Sequence, residues 1–486
     1  MTTAHPVLQQ MAARGLHPAR LTSDSRQVRP GDAFVAYRGE SADGRAFISQ
    51  AVQKGAAAVL WEPEGYAWDE TMTIPNFSVR GLREQVGEIA SAFYGAPTQH
   101  LWVVGITGTN GKTSCSHWLA RAYQHLGKKS AIIGTLGNGF PHALQESANT
   151  TPDPIVLQGL LADYVRQGAS NVAMEVSSHG LEQGRVSGMK FDIAVFTNLS
   201  RDHLDYHGDM AAYAAAKRKL FEWPQLRGAI LNADDEFGAE IAKFTRISGI
   251  RTLTYGFGQA DIQASQLRLD ETGLRMQVQT PAGQAELHAA LMGRFNAMNL
   301  LAVLGALLAS DIALADAVQA LSHTVPVAGR MQKLGGGDLP VVIVDYAHTP
   351  DALEKVLGDL RAQTRERLIC VFGCGGNRDK GKRPLMAHAA SRLADVTWIT
   401  SDNPRHENPE TIIHDIVAGM QEGSTYSIEP DRAAAIRKAI HAAQPGDIVL
   451  LAGKGHEHTQ QVGDTKLPFS DAAVAGEVLQ HMKAAS

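Results

Sequence analysis

Lys112 and Thr113 close the run Thr107-Gly108-Thr109-Asn110-Gly111 and are followed by Ser114. In this 486-residue chain they are the side chains best suited to chemistry on a phosphate. Glycines let a backbone wrap close around an anion, and consecutive N–H groups aim at its oxygens. A helix starting just behind the loop adds its partial positive charge. Lys112 can reach the β- and γ-phosphates of a nucleotide, and the Thr113 hydroxyl can ligate Mg²⁺. Gly108, Thr109, Asn110, Gly111, Lys112, Thr113 and Ser114 are therefore the expected ATP-binding loop. The spacing misses the general pattern G-x-x-x-x-G-K-[ST] by one residue, because Ile106 stands five before Gly111 while Gly108 sits inside the loop. A plain Gly-rich turn between strand and helix is the alternative, and the Gly-Lys-Thr ending with its flanks favours the nucleotide.

The elements that would hold this loop are a buried strand over Val103–Ile106 and an amphipathic helix from Cys115 to Leu126, the strand–loop–helix context a phosphate loop requires. Short apolar runs at 131–134, 172–176 and 193–197 read as buried parallel strands with helices between them. Glu175 lies at the end of one such strand, and Asn198 to Gly208, with His203, follows another. Open α/β sheets place ligands beyond the carboxyl ends of their strands, so these segments should converge on the phosphate loop. A carboxylate and an imidazole there are plausible Mg²⁺ ligands, although Mg²⁺ prefers oxygen. Either alone would read as structural; the convergence favours a metal. Asn296 and Asn299 are three apart on one face of a predicted helix and suit an adenine edge, with helix-capping or interior amides the alternative.

The length suggests about three domains. Residues 1–98 read as a small α/β domain containing the strand 33–36, a polar loop over 39–45 and a helix opening at 46–54. Residues 99–330 hold the phosphate loop, with polar–apolar alternation over 262–288 suggesting a small antiparallel appendage. Residues 331–486 repeat the strand–helix alternation, with strands at 341–344, 368–372, 396–399 and 448–451, which reads as a second doubly wound sheet. The formal charge of -5 carries no polybasic signature, so nucleic acid and anionic membranes are not expected partners. No apolar run approaches the ~18 residues of a membrane span, and no signal peptide is apparent. Cys115, Cys370 and Cys374 are too few and too poorly spaced for a zinc site or disulfide framework, which fits a reducing cytoplasm.

Taken together these stretches resemble the Mur ligases, ATP-dependent enzymes that add amino acids to the bacterial cell-wall precursor. The resemblance runs over essentially the whole chain. It is carried by Thr107–Ser114, Asn149-Thr150-Thr151-Pro152, Glu175–Val186, Asn198–Gly208, Tyr213–Lys217, the run 293–299 and the run 345–351. Further along it is carried by the Gly-rich run 373–384, Asp402-Asn403-Pro404-Arg405 and the run 453–457. Its loop pattern is T-G-T-x-G-K-T, which accounts for the missed general spacing. The third-domain motifs are similar to the branch that adds meso-2,6-diaminopimelate. The resemblance implies an α/β, three-domain Mur ligase architecture with a central P-loop ATPase domain and a Rossmann-like C-terminal domain. It also implies a bacterial cytoplasmic enzyme of peptidoglycan synthesis, acting as a monomer on small-molecule substrates without nucleic acid or membrane insertion.

The implied chemistry is phosphorylation of the D-Glu γ-carboxylate of UDP-N-acetylmuramoyl-L-alanyl-D-glutamate, then displacement of phosphate by an amine. Phosphoryl transfer between two anions demands charge neutralisation and in-line positioning. The resemblance makes Lys112, Glu175, His203 and a carbamylated Lys217 catalytic. Mg²⁺ would be held by Thr113, Glu175, His203 and the Lys217 carbamate, since an ammonium beside Mg²⁺ would repel it. From its spacing alone Lys217 reads as an exposed helix lysine. ATP would be the co-substrate, contacted also by Asn296, Asn299, Arg330, Asp345 and His348; an interdomain Arg330 could instead make only a structural ion pair. Family positions for the nucleotide-sugar fall on Ser23, Ser25, Glu40, Ser41, Ala42, Asn149, Thr150, Thr151, Ser177, Gln183 and Arg185. Those for diaminopimelate fall on Arg378, Asp402, Asn403, Pro404, Arg405, Gly453 and Glu457.

Arg405 discriminates best, because it can grip in a bidentate pair the distal carboxylate that lysine lacks. A lysine-adding member of the family is the near alternative and a folylpolyglutamate synthase-like ligase the more distant one. A nucleotide-driven binding switch would leave the third-domain residues unused.

Overall fold

The computed structural model describes residues 5–40, 42–270 and 272–485, which gather into two compact units. The first takes the chain up to Thr107 together with Gly127–Ala194 and Ala216–Arg227. The second takes Gly108–Leu126, Val195–Ala215 and everything from Gly228 onward.

In the first unit a four-stranded parallel sheet runs in the order Leu21–Thr22, Ala33–Ala36, Ala58–Trp61, Asn76–Ser78. The sequences Ala-Phe-Val-Ala and Ala-Val-Leu-Trp are buried at every position, as strands covered on both faces must be. Phe34 and Val59 pack with Ile48 on one face, while Val35 and Leu60 pack with Val86, Ile89 and Ile155 on the other. The helix expected from residue 46 begins as a 3₁₀ turn over Gly44–Phe47, its Arg45 N–H bound to the Asp43 carboxylate, and becomes α-helical at Ile48–Gln53. A second set of strands is parallel across Trp102–Thr107, Asn171–Glu175 and Ser130–Gly134 and ends in the antiparallel edge Gly137–Phe140 and Ala143–Gln145. Gly87, within the helix Leu82–Phe93, lies backbone to backbone with Gly188, and a Cβ on either would collide with the other segment's carbonyl oxygen.

In the second unit the phosphate-loop helix spans Lys112–His125, three residues earlier than its expected start. Gly111 caps it at φ +87°, a left-handed conformation that turns the chain into the helix at once, so Lys112, Thr113 and Ser114 form its first turn. The strands Gly228–Asn232, Arg251–Gly256 and Ile262–Asp270 are parallel. Gly273–Thr280 and Gly283–Ala289 then fold back antiparallel, burying Leu274, Met276 and Val278 at alternate positions. The appendage expected over 262–288 is thus antiparallel within itself, while Tyr255 pairing with Ile262 makes it an extension of the parallel strands.

From residue 332 onward this unit holds a six-stranded sheet in the order Gln332–Gly335, Val341–Asp345, Ile448–Ala452, Leu368–Phe372, Val396–Ile399, Tyr426–Ile428, antiparallel only at its first pair. Leu353, Met386 and Ile413, from three helices, cover one face, and Ile436 and Val478 cover the other, so the sheet is doubly wound. Arg432 and Asp471 meet in a fully buried bidentate pair, and Arg432 Nη2 also donates to the Ala452 carbonyl, fixing the end of a central strand. The hairpin Thr459–Val462 and Thr465–Pro468 was not expected from the sequence. Among the described residues no helix is long and apolar enough to cross a membrane.

Candidate active site

The phosphate loop is buttressed from the segment after Phe196. Asn198 accepts from Asn110 N through Oδ1 at 3.0 Å and returns its own Nδ2 to the Asn110 carbonyl at 3.1 Å. Thr197 Oγ1 donates to the same carbonyl at 2.6 Å, and Thr109 N donates to the Asn198 carbonyl. Lys112 Nζ donates to the Gly108 and Thr109 carbonyls at 2.8 and 2.9 Å. A Cβ at Gly108 would run into Thr197 Oγ1, and one at Gly111 into Asn299 Oδ1. Gly111→Ala should therefore lower thermal stability by about 1–3 kcal/mol, from its left-handed φ and the clash together. It should also abolish nucleotide-induced stabilisation in a thermal shift titration with ATP.

A cavity of about 430 Å³ opens beside the loop. Asn110, Gly111, Ser114, Arg330 and Asp345 line it, as do Tyr255, Phe257, Arg294, Met298 and Asn299, a polar–aromatic mixture of the size a nucleotide needs. Asn296 and Asn299 lie in the first turns of the helix Arg294–Ala309. They bond to each other at 3.3 Å, with Asn296 Nδ2 held by the Met292 carbonyl. Arg330 Nη2 donates to Thr113 Oγ1 at 3.2 Å, and its guanidinium stacks 4.4 Å from the Tyr346 ring. Burial pushes the Asp345 carboxyl above its ordinary range, against the Arg330 charge and the Met331 and Ala347 N–H groups it accepts from.

Asp202, which the sequence did not single out, joins two expected residues. Its Oδ2 lies 3.3 Å from His203 Nε2 and 3.7 Å from His348 Nε2. Burial alone would raise the Asp202 carboxyl, but His348, His203 and Lys382 together hold it well below the usual carboxylate range. His203 itself sits at φ +55°.

His117 and His456 are kept neutral. Burial, then the charges of Arg121 and Arg330, bring His117 down to about 3; burial, then Arg330, His458 and His117, do the same for His456. The unfolded chain, with histidines near 6.5, takes up these protons first, so stability is full above that pH and drains away as the pH falls toward 3. At pH 5 each histidine should cost about 2 kcal/mol. Denaturant melts between pH 7.5 and 5 should show this loss, and His117→Gln and His456→Gln should flatten it.

In the first unit Glu175 is fully buried and accepts from Thr135 N at 2.9 Å and Thr135 Oγ1 at 3.0 Å. Lys217 is also fully buried, contrary to the exposed helix lysine its spacing suggests. A chain of bonds links several of the expected nucleotide-sugar residues. Glu40 receives Arg83 and Gln183, Gln183 receives Arg185 Nε at 2.7 Å, and Arg185 Nη1 reaches the Thr151 carbonyl at 3.0 Å. Thr151 Oγ1 lies 3.1 Å from Ser177 Oγ. Thr150 bonds Thr135, the Asn149 carbonyl accepts from Ser147, and Ser25 bonds Gln50 at 2.6 Å outside that chain. The Tyr37 hydroxyl reaches Ser23, Ala42 gives its carbonyl to Gly39 N, and Ser41 lies outside the described residues.

In the C-terminal sheet Asp402, Asn403, Pro404 and Arg405 follow the strand Val396–Ile399, and Gly453 follows Ile448–Ala452, so all lie at carboxyl ends of strands. A Cβ on Gly453 would stand 2.9 Å from Asp402 Oδ2. Arg405 has φ +51°, unusual for a residue with a side chain, and its Nη1 donates to the Gly376 carbonyl at 2.8 Å. Burial and then the neighbouring Arg378 lower its pKa, against the charges of Asp402 and Glu457, and no carboxylate among the described residues comes within ion-pair distance of it. Among the described residues Arg378 pairs with Asp205 at 3.9 Å and donates to the Asn377 carbonyl at 3.4 Å. Pro404 packs its carbonyl against Gly376. Among the described residues no group of three or more His, Cys, Asp or Glu side chains is arranged to hold a metal.

Three family models match the chain: Mur ligase family, catalytic domain over residues 18–94, Mur ligase middle domain over 106–307, and Mur ligase, glutamate ligase domain over 329–455. The UDP-N-acetylmuramoyl-L-alanyl-D-glutamate--2,6-diaminopimelate ligase of Chromobacterium violaceum is 52% identical over 97% of this chain and 96% of its own length. The protein of the same name from Nitrosomonas europaea is 50% identical over 98% and 95%. A solved structure of a ligase of that name is 36% identical, with a TM-score of 0.67 over 96% of this chain and 95% of its own. MurF from Thermotoga maritima in complex with ADP, 17% identical, shares the fold at a TM-score of 0.66 over 96% and 97%. The chain belongs to the Mur ligase family.

Proposed function

We propose that this protein uses ATP to join meso-2,6-diaminopimelate to the D-Glu γ-carboxylate of UDP-N-acetylmuramoyl-L-alanyl-D-glutamate. A carboxylate is inert to amines in water because its oxygen is a poor leaving group; phosphorylation supplies one, and the amine then displaces phosphate. The single observation that carries the choice of amine is Arg405, a half-buried guanidinium without a carboxylate partner among the described residues, beside a second cation at Arg378. A desolvated arginine of this kind matches a carboxylate in a bidentate pair. Diaminopimelate brings that extra carboxylate, and lysine does not.

In this reading Gly108–Ser114, Asn296, Asn299, Arg330, Asp345 and His348 bind ATP. Glu40, Asn149, Thr150, Thr151, Ser177, Gln183 and Arg185, with Ser23, Ser25 and Ala42, bind the nucleotide-sugar. Arg378, Asp402–Arg405, Gly453 and Glu457 bind the amino acid. The donors proposed for Mg²⁺ are Thr113, Glu175, His203 and a carbamylated Lys217. Oxygen donors predominate among them, as Mg²⁺ prefers. When bound, Mg²⁺ would neutralise charge on the phosphates. Residues 1–98, 99–330 and 331–486 would serve as nucleotide-sugar, ATP and amino-acid domains of a monomeric enzyme in the bacterial cytoplasm. Mass spectrometry of the product from ATP, UDP-N-acetylmuramoyl-L-alanyl-D-glutamate and meso-diaminopimelate tests the reading. The expected result is one new amide; equal incorporation of lysine would overturn it.

A further inference from the structure

Lys454 is fully buried, a costly place for an ammonium unless it is paired. Its Nζ donates to Glu457 Oε2 at 2.8 Å and to Asn403 Oδ1 at 3.0 Å. Asn403 Nδ2 donates to the same Glu457 Oε2 at 2.9 Å, closing a triangle of three side chains. Gln461 N donates to Asn403 Oδ1 at 2.9 Å, which fixes which end of that amide faces Lys454. With Oε2 bound by two donors, the Glu457 carboxylate cannot swing, and its Oε1 accepts no bond from any described residue. We infer that Lys454 is a positioning residue for the incoming amine. It locks Glu457 and Asn403 so that Glu457 Oε1 is presented to an ammonium group of the amino acid.

The inference rests on the amide-forming reading above and deepens it. A buried ion pair kept only for stability would be no better than a well-packed apolar side chain, so a buried lysine here needs another reason. Holding a charged acceptor at a fixed angle is such a reason, since a small misplacement of a binding group can cost about 10²-fold in rate.

The test is steady-state kinetics on Lys454→Met, Glu457→Gln and the double variant, with each substrate varied in turn. A parallel assay traps the activated carboxylate with hydroxylamine, which reports phosphorylation without any amino acid. Lys454→Met should raise the KM for meso-diaminopimelate by about 10²-fold and leave the KM for ATP and hydroxamate formation unchanged. The double variant should be no worse than Glu457→Gln alone, because both changes remove one interaction. Lys454→Gln, which keeps a donor at the same depth, is expected to recover part of the loss and stands in should the methionine variant not fold. Parallel rises in every KM, equal loss of hydroxamate, or additive effects in the double variant would overturn the inference. Wild-type enzyme that forms hydroxamate but no diaminopimelate amide would instead overturn the reading on which it rests.

Discussion

Arg405→Ala should cut kcat/KM for meso-diaminopimelate by about 10²–10³-fold and erase most of a preference over lysine expected to be near 10⁴. The guanidinium is half-buried and lowered in pKa by burial and by Arg378, against Asp402 and Glu457, and no carboxylate among the described residues is within ion-pair distance of it. In the bound state a second carboxylate would supply that partner. A lysine substrate would leave the cation desolvated and unpaired, and that penalty is the basis of the choice. Arg405→Lys should rescue poorly, because a single ammonium cannot reproduce the planar fork or reach both the Gly376 carbonyl and a carboxylate. Competition between the two amino acids, read by mass spectrometry, is the direct measurement. Unchanged selectivity in the alanine variant would remove Arg405 from the pocket.

Lys112→Met should lower kcat by about 10²–10³-fold while the KM for diaminopimelate stays constant. In the structure Lys112 Nζ rests on two loop carbonyls, at 2.8 and 2.9 Å, within the loop proposed to hold the phosphates. The lysine therefore needs little reorganisation to meet the charge that develops during phosphoryl transfer, and a preorganised cation is worth most at that moment. The side chain is only partly buried, so the variant should melt within about 0.5 kcal/mol of wild type. Loss of hydroxamate formation alongside retained folding would separate chemistry from stability.

What the sequence revealed follows what is local in it. The strand–loop–helix unit around Gly108 to Ser114 was visible because its residues are contiguous and its glycines and flanks mark the turn. The strands were visible because runs such as Leu-Ile-Cys-Val-Phe at 368–372 are uninterrupted and buried on both faces. Three things were not. The helix begins at Lys112 rather than Cys115 because the backbone of Gly111 adopts a left-handed conformation, which composition does not reveal. The hairpin 459–468 is polar and largely exposed, so no apolar alternation announces it. Asp202 and Lys454 stood inside recognised motifs, but their importance comes from partners far along the chain, His348 for one and Asn403 for the other. Burial turned Lys454 from an ordinary loop lysine into the centre of a triangle.

That unannounced hairpin has a consequence for redesign. Gln460 Nε2 donates to the Asp402 carbonyl, Gln461 N to Asn403 Oδ1, Arg405 N to the Gln461 carbonyl, and Gly463 N to the Arg405 carbonyl. The unusual φ of Arg405 is thereby imposed from outside its own loop. Grafting the four-residue motif alone into a relative with different amine preference would transplant the letters without their mould; residues 402–405 and 459–468 have to be moved as one cassette.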